Sequence, residues 1–285
     1  MSDLSTPRTL RLTLAYDGAD FHGWQVQPAL ATIQGVLASA IAHVTGEQIL
    51  PQASGRTDAG VHALAQVVSF NLHAPIPAPA LLRALNRRLP DAIRVLAADE
   101  MPPSFHARFG ATAKTYEYRI FNRFQDAHSL AETPCPPTLA RYTWDCPWRL
   151  SLDALQSCAA AVVGTHDFTS FAAVDPENSD EYIPPAASPG SLPPHIPTGN
   201  LRTIFFSEWI VESPFLLIYR VRGSGFLHHM VRNLVGTMVE AASARTNPSD
   251  FPNILAACRR SAAGATAPPH GLFLVSVEYG EKPNA

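Results

Sequence analysis

Apolar residues alternate along "RTLRLTLAY", with Leu10, Leu12, Leu14 and Tyr16 on one side. A period of two predicts a strand over Arg8–Tyr16. The next apolar series changes period. Ile33, Val36, Leu37, Ala40, Ile41 and Val44 recur at helical spacing and stop at Gly46, which predicts an amphipathic helix. "EQILPQAS" and "LAQVVSFNL" read as strands, "APALLRALNRRLP" as a helix ended by Pro90, and "IRVLAADE" as a strand. The order is β-α-β-β-α-β, the split βαβ arrangement with helices on one face of an antiparallel sheet.

The same order returns further on. "TAKTYEYRIF" reads as a strand and "SLDALQSCAAAVVGTH" as a helix. "LRTIFFSEWIV" and "FLLIYRVRG" read as strands joined by a tight turn, "FLHHMVRNLVGTMVEAASA" as a long helix, and "LFLVSVEY" as the closing strand. The expected fold is α+β, with two pseudo-symmetric ferredoxin-like βαββαβ halves whose antiparallel sheets join side by side. The halves divide as 1–110 and 111–285, with an active-site cleft at their junction. Two stretches break the pattern. Residues 123–150, with prolines and two tryptophans, read as an irregular packed loop. Residues 175–200, rich in Pro, Ser and acidic side chains, read as a mobile surface insertion.

Composition narrows this picture. Hydrophobic residues make up 46% and charged residues 16%, enough apolar material for a sizeable core. No apolar run approaches the ~18 residues of a membrane span, and "MSDLSTPRTL" lacks a signal-peptide pattern. Cys135, Cys146, Cys158 and Cys258 form no zinc or redox spacing. A reducing cytoplasm is the expected location. The net charge of -3 argues mildly against a nucleic-acid partner, because phosphate binding usually shows as a basic excess. Yet Lys114 and Lys282 are the only lysines; arginine suits planar, bidentate phosphate contacts, while a GC-rich genome would equally inflate Arg, Ala and Pro. Position therefore matters more than the total.

Three segments carry candidate chemistry. In "ASGRTDAGVHALAQVVSF", Gly55 and Gly60 flank Arg56, Thr57 and Asp58 between two strands. Glycines allow close backbone approach. Taken alone, the loop supports either a turn with a local Arg56–Asp58 pair or an aspartate presented for reaction. In "HARFGATAKTYEYRIFNR", Lys114, Tyr116, Tyr118 and Ile120 share one strand face and Thr115, Glu117 and Arg119 the other. Aromatic rings beside Arg108, Lys114, Arg119 and Arg123 suit base stacking with phosphate contact, or a core-facing row with solvated charges. In "VRGSGFLHHMVRNLVG", glycines mark a strand-to-helix turn able to offer N–H groups to an anion. A helix starting near Phe226 would send the adjacent His228 and His229 to different sides, unlike an i, i+4 metal pair. No Walker A, dinucleotide fingerprint, GxSxG or deaminase motif is present.

Taken in order, "GRTDAGVHA", "HARFGATAKTYEYRI", "GTHDFTSF", "GFLHHMVRNLVGTM" and "GLFLVSVEY" resemble the tRNA pseudouridine synthase A family. The resemblance runs from about Arg8 to Tyr279, apart from the Pro-rich stretches. It implies two α+β halves with a positively charged cleft, in a homodimer that acts on tRNA without cofactor or metal. The implied reaction converts uridine to pseudouridine in the tRNA anticodon stem-loop, at tRNA positions 38, 39 and 40. It makes Asp58 the nucleophile, and Arg232 its partner that keeps it ionised. Tyr116 would stack on the target base, Arg56 would contact RNA or support the loop, and Leu272 would wall the uracil pocket. Phosphate contacts fall to Arg108, Lys114, Arg119, Arg123 and Arg222, with Arg220 and the Arg83, Arg87, Arg88 cluster. The acidic insertion around 175–200 is longer than the family pattern leads one to expect.

Two rival readings belong to other classes. A non-catalytic RNA-binding scaffold is disfavoured by the intact set Asp58, Tyr116 and Arg232. A glycosidase-like hydrolase would need a second carboxylate at a defined separation from Asp58, with Asp167 or Glu117 as the candidates.

Overall fold

The computed structural model describes residues 6–125, 130–173 and 199–280. Along the chain the strands and α-helices are β1 (Arg8–Tyr16), α1 (Ile33–Thr45), β2 (Gln52–Ala53), β3 (His62–Leu72), α2 (Ala78–Arg88), β4 (Ile93–Met101), β5 (Ala111–Asn122), α3 (Pro137–Ala140), β6 (Trp144–Cys146), α4 (Leu152–Ala160), β7 (Gly164–Asp167), β8 (Leu201–Ser213), β9 (Leu216–Gly223), α5 (Met230–Ala242), α6 (Phe251–Ala256) and β10 (Leu272–Tyr279). The insertion expected to be a mobile surface segment lies almost wholly outside the described residues.

Two compact units share the chain. The first takes residues 1–121, 134–146 and 268–285; the second takes 122–133 and 147–267. These units and the two sequence halves are different divisions, because β10, last in the chain, is built into the first unit's sheet.

That sheet runs β4-β1-β3-β10-β5, with β2 on β3 and β6 on β5. It is mostly antiparallel. Against the expected antiparallel sheet, β10 pairs with β3 in parallel register, where Phe273 meets His62 and Leu274 meets Ala63. β1 follows its alternation: Leu10, Leu12 and Leu14 are fully buried. Thr32 caps α1 by accepting from the Gly35 N–H, and Gly46 ends it at φ 79°, where glycine avoids the Cβ clash. Ile33, Leu37 and Ile41 from α1, with Leu81 and Leu85 from α2, complete the core. Each such side chain contributes about 1.5–3 kcal/mol.

In the second unit β9, β8 and β7 pair antiparallel, and α4 and α5 pack on each other. Val235, Met238 and Val239 of α5 are fully buried. Three details differ from expectation. The segment "GTHD" forms strand β7 rather than the end of a helix. The irregular loop contains α3 and β6. And α5 begins at Met230, not near Phe226, because His229 adopts a left-handed conformation at φ 58°. His228 and His229 therefore precede the helix, and their rings lie together, 3.9 Å apart, rather than on opposite sides.

Candidate active site

The Asp58 loop joins β2 to β3 and has few apolar side chains of its own to hold it. Its order comes from neighbours. Val61 N–H closes a turn on the Asp58 carbonyl at 3.1 Å, with Gly60 at φ 78°. The segment after β1 lies flat against this turn. Trp24 N–H donates to the Thr57 carbonyl at 3.0 Å. A Cβ on Gly18 would stand 2.0 Å from the Val61 carbonyl oxygen, and one on Gly23 2.8 Å from that of Thr57. Only glycine permits this approach.

Beneath the loop is a buried polar network. Gln66 and Ser54 are fully buried. Gln66 Nε2 donates to the Gly55 carbonyl at 2.8 Å, and Ser54 Oγ donates to Gln66 Oε1 at 2.7 Å. The Tyr16 hydroxyl pairs with Thr57 Oγ1 at 2.8 Å. Burial pushes the Tyr16 phenol up to about 12, against the bonds from Thr57 and Gln66, so it is a neutral hydroxyl at physiological pH. Lys114 Nζ donates to the Ser54 carbonyl at 2.6 Å. A satisfied network of this kind specifies one conformation. The outcome along the loop is Arg56 exposed, Thr57 buried and Asp58 half-buried.

Tyr116 comes to Asp58 from β5. It is buried, and its hydroxyl is raised above the ordinary tyrosine range, first by burial and then by electrostatic interaction with its neighbours, Asp58 among them. β10 lies between β5 and β3, with Leu274 opposite Tyr116 and Leu272 opposite Tyr118. Leu272 is buried. The turn before it touches the Asp58 loop: a Cβ on Gly60 would meet Pro269 Cγ at 3.1 Å. The first unit therefore gathers Asp58, Tyr116 and the Leu272 strand from three distant parts of the chain.

Sequence reasoning missed the supports. Tyr16, Ser54, Thr57 and Gln66 are polar residues inside apolar strands or loops. A glutamine within "LAQVVSF" is the signal that could have found them, because a mid-strand buried amide needs partners. His62 was also missed. It is buried, stacks on Phe273 at 4.6 Å, and accepts the Gly18 N–H at Nδ1 at 3.1 Å. Arg119 covers Phe273, its guanidinium 4.0 Å from the ring centroid.

The remaining predicted residues are placed as follows. Arg232 lies on α5 in the second unit. Its Nε donates to the Ala267 carbonyl at 2.8 Å, and Ala267 N–H donates back to the Arg232 carbonyl at 3.1 Å. Arg123 pairs with Glu132 at 2.7 Å, Arg222 lies over Phe205 at 5.0 Å, and Arg108 over Phe109 at 6.0 Å. The rival carboxylates are engaged elsewhere. Glu117 is buried beside Arg119 at 3.5 Å, and Asp167 accepts from the Thr169 N–H at 2.8 Å.

Comparison with known proteins bears on what this site does. The profile of a family described as tRNA pseudouridine synthase matches residues 13–110 and 194–280. The chain is 46% identical over 272 residues to the tRNA pseudouridine synthase A of Solibacter usitatus, spanning 95% of this chain and 100% of that protein. It is 42% identical to the protein of that name from Moorella thermoacetica, over 95% of this chain and 99% of the relative. For Bacillus pumilus the figures are 40%, 95% and 98%. No helix among the described residues is long and apolar enough to cross a membrane. With a shared sequence over nearly its whole length, the chain belongs to the tRNA pseudouridine synthase family of isomerases.

Proposed function

We propose that this protein isomerises uridine to pseudouridine in the anticodon stem-loop of tRNA, at tRNA positions 38, 39 and 40, with Asp58 as nucleophile. One observation supports this above the others: a buried network holds the Asp58 loop, whose Gly60 abuts Pro269 just before the strand that pairs Leu274 with Tyr116. The isomerisation breaks the N1–C1′ bond and makes a C5–C1′ bond. The C5 proton leaves and N1 gains one, so the balance calls for no oxidant or co-reactant. A carboxylate nucleophile divides this into two easier steps, by attack on the ring or on the sugar. Extruding the base from a stem costs a few kcal/mol. Stacking on Tyr116 returns about 1–3 kcal/mol. Leu272 supplies an apolar wall, Arg56 a contact to RNA, and Arg232 the charge partner of Asp58. The wider reading is of a cytoplasmic homodimer with two pseudo-symmetric ferredoxin-like halves and tRNA bound along a basic cleft.

The test is Asp58→Asn. It is expected to abolish tritium release from uracil-labelled tRNA while circular dichroism and tRNA binding stay as in the wild type. Release at the wild-type rate would remove Asp58 from the chemistry. Mapping pseudouridines in tRNA from cells lacking the protein tests the three positions.

A further inference from the structure

Lys114 reads from sequence as a phosphate contact, a cation among aromatic rings on a strand. Its geometry suits a different task. Its ammonium donates to the Ser54 carbonyl at 2.6 Å. A Cβ on Gly55 would stand 2.7 Å from Nζ and 3.7 Å from Cε, so the loop lies directly on the tip of the lysine. The next carbonyl, that of Gly55, accepts from Gln66 Nε2 at 2.8 Å. Two successive carbonyls are thus held by side chains from two different strands, β5 and β3. Holding both orients two peptide planes, and with them the path into Arg56, Thr57 and Asp58. The Tyr16 hydroxyl secures the same path one residue before Asp58.

We propose that Lys114 is a positioning residue for the Asp58 loop, acting on the Ser54 carbonyl rather than on a tRNA phosphate. The hydrogen bond is charge-assisted and so stronger than a neutral one, which suits a loop with little apolar packing of its own. Glycine at 55 follows from the same contact: a larger residue would displace the ammonium from Ser54. The inference rests on the reading of Asp58 as nucleophile, but part of its test does not need activity.

The two roles for Lys114 predict opposite kinetics. In Lys114→Met, positioning predicts a single-turnover rate at saturating tRNA about 10- to 100-fold lower, as expected when reacting groups are misplaced, with Kd and its salt dependence unchanged. A phosphate contact predicts an unchanged saturating rate, a weaker Kd, and a log–log salt slope reduced by about 0.7–0.9. Lys114→Arg separates them again. Arginine keeps a phosphate contact, but its broad fork does not fit against Gly55, so the rate stays low. Gly55→Ala is expected to lower the rate as Lys114→Met does. The double variant should add little further loss, because both changes break one interaction. Full rates in Lys114→Met, or additive losses in the double variant, would overturn the proposal. Hydrogen exchange reads the loop directly: Trp24 and Gly60 amides, bonded to Thr57 and Phe21, should lose protection in Lys114→Met. Unchanged protection would count against the proposal even if the protein modified no tRNA; a wild type inactive on tRNA would instead count against the functional reading.

Discussion

Asp58 and Arg232 are each secured by segments far away in sequence, but by opposite arrangements. Asp58 sits on the irregular segment, and the regular strands reach out to it with Gln66, Lys114 and Tyr16. Arg232 sits on the regular element, and the irregular strap 259–267 is tied down onto α5. Arg260 and Thr266 donate to Asn233 Oδ1, Gly264 N–H to Thr237 Oγ1, and Ala265 N–H to Glu240 Oε1. A helix places its side chains through its own hydrogen-bond ladder, whereas a loop has only its tethers. Loosening tethers should therefore impair reaction in the first region and mainly stability in the second.

The largest effect is expected where the strap meets the backbone of α5. A Cβ on Gly236 would lie 1.8 Å from the Ala265 carbonyl oxygen. Gly236→Ala should cost about 3 kcal/mol or more in urea unfolding, at the upper end for overpacked sites. An unchanged midpoint would mean that the strap is loosely held. Next comes Gln66→Leu, which leaves the Ser54 hydroxyl and the Gly55 carbonyl without their partner. Each orphaned group costs about 1–3 kcal/mol, and the saturating rate should fall by about 10-fold or more as Asp58 loses its geometry. Asn233→Ala sharpens the contrast. It strips partners from Arg260, Thr266 and the Phe171 carbonyl. It should lose about 2 kcal/mol of stability yet less rate than Gln66→Leu. The reverse ranking of rates would break the comparison. Tyr16→Phe removes one tether and should cost about 1 kcal/mol, read from thermal melts.

The smallest effect is one of pH. Burial holds His62 below the ordinary histidine range, against the opposing charge of Asp17. The unfolded chain then takes up a proton near pH 6.5 that the folded chain refuses. Stability should be complete above that pH and fall as pH drops through it. Protonation would also turn Nδ1 from acceptor of the Gly18 N–H to donor toward Asp17, 3.1 Å away. His62→Gln should show a shallower loss of stability between pH 7 and 5. An equal slope would place the titration elsewhere.

Local pattern made much of the fold legible. β1 runs over Arg8–Tyr16 as its alternation predicts, and α1 ends at Gly46 as its spacing predicts. The start of α5 was not legible, because a left-handed histidine is a tertiary choice that no propensity signals. Nor was β7, a four-residue strand that exists through its pairing with β8. Within the candidate site, Asp58, Tyr116 and Leu272 stood out through motif resemblance. Their supports did not, because a hydrogen bond between residues 54 and 114 leaves no trace in either local segment.

The sequence by itself determined most of the longer elements, the family and the residues with chemical potential, since periodicity and motif spacing are properties of neighbouring positions. Only the tertiary structure decided how Asp58 is held and what Lys114 touches. Those depend on β10 entering between β3 and β5 and on glycines that let backbone meet backbone. Such contacts join positions well separated along the chain, 41 residues apart for Tyr16 and Thr57 and 60 for Lys114 and Ser54, and their energy exists only when the whole first unit is assembled.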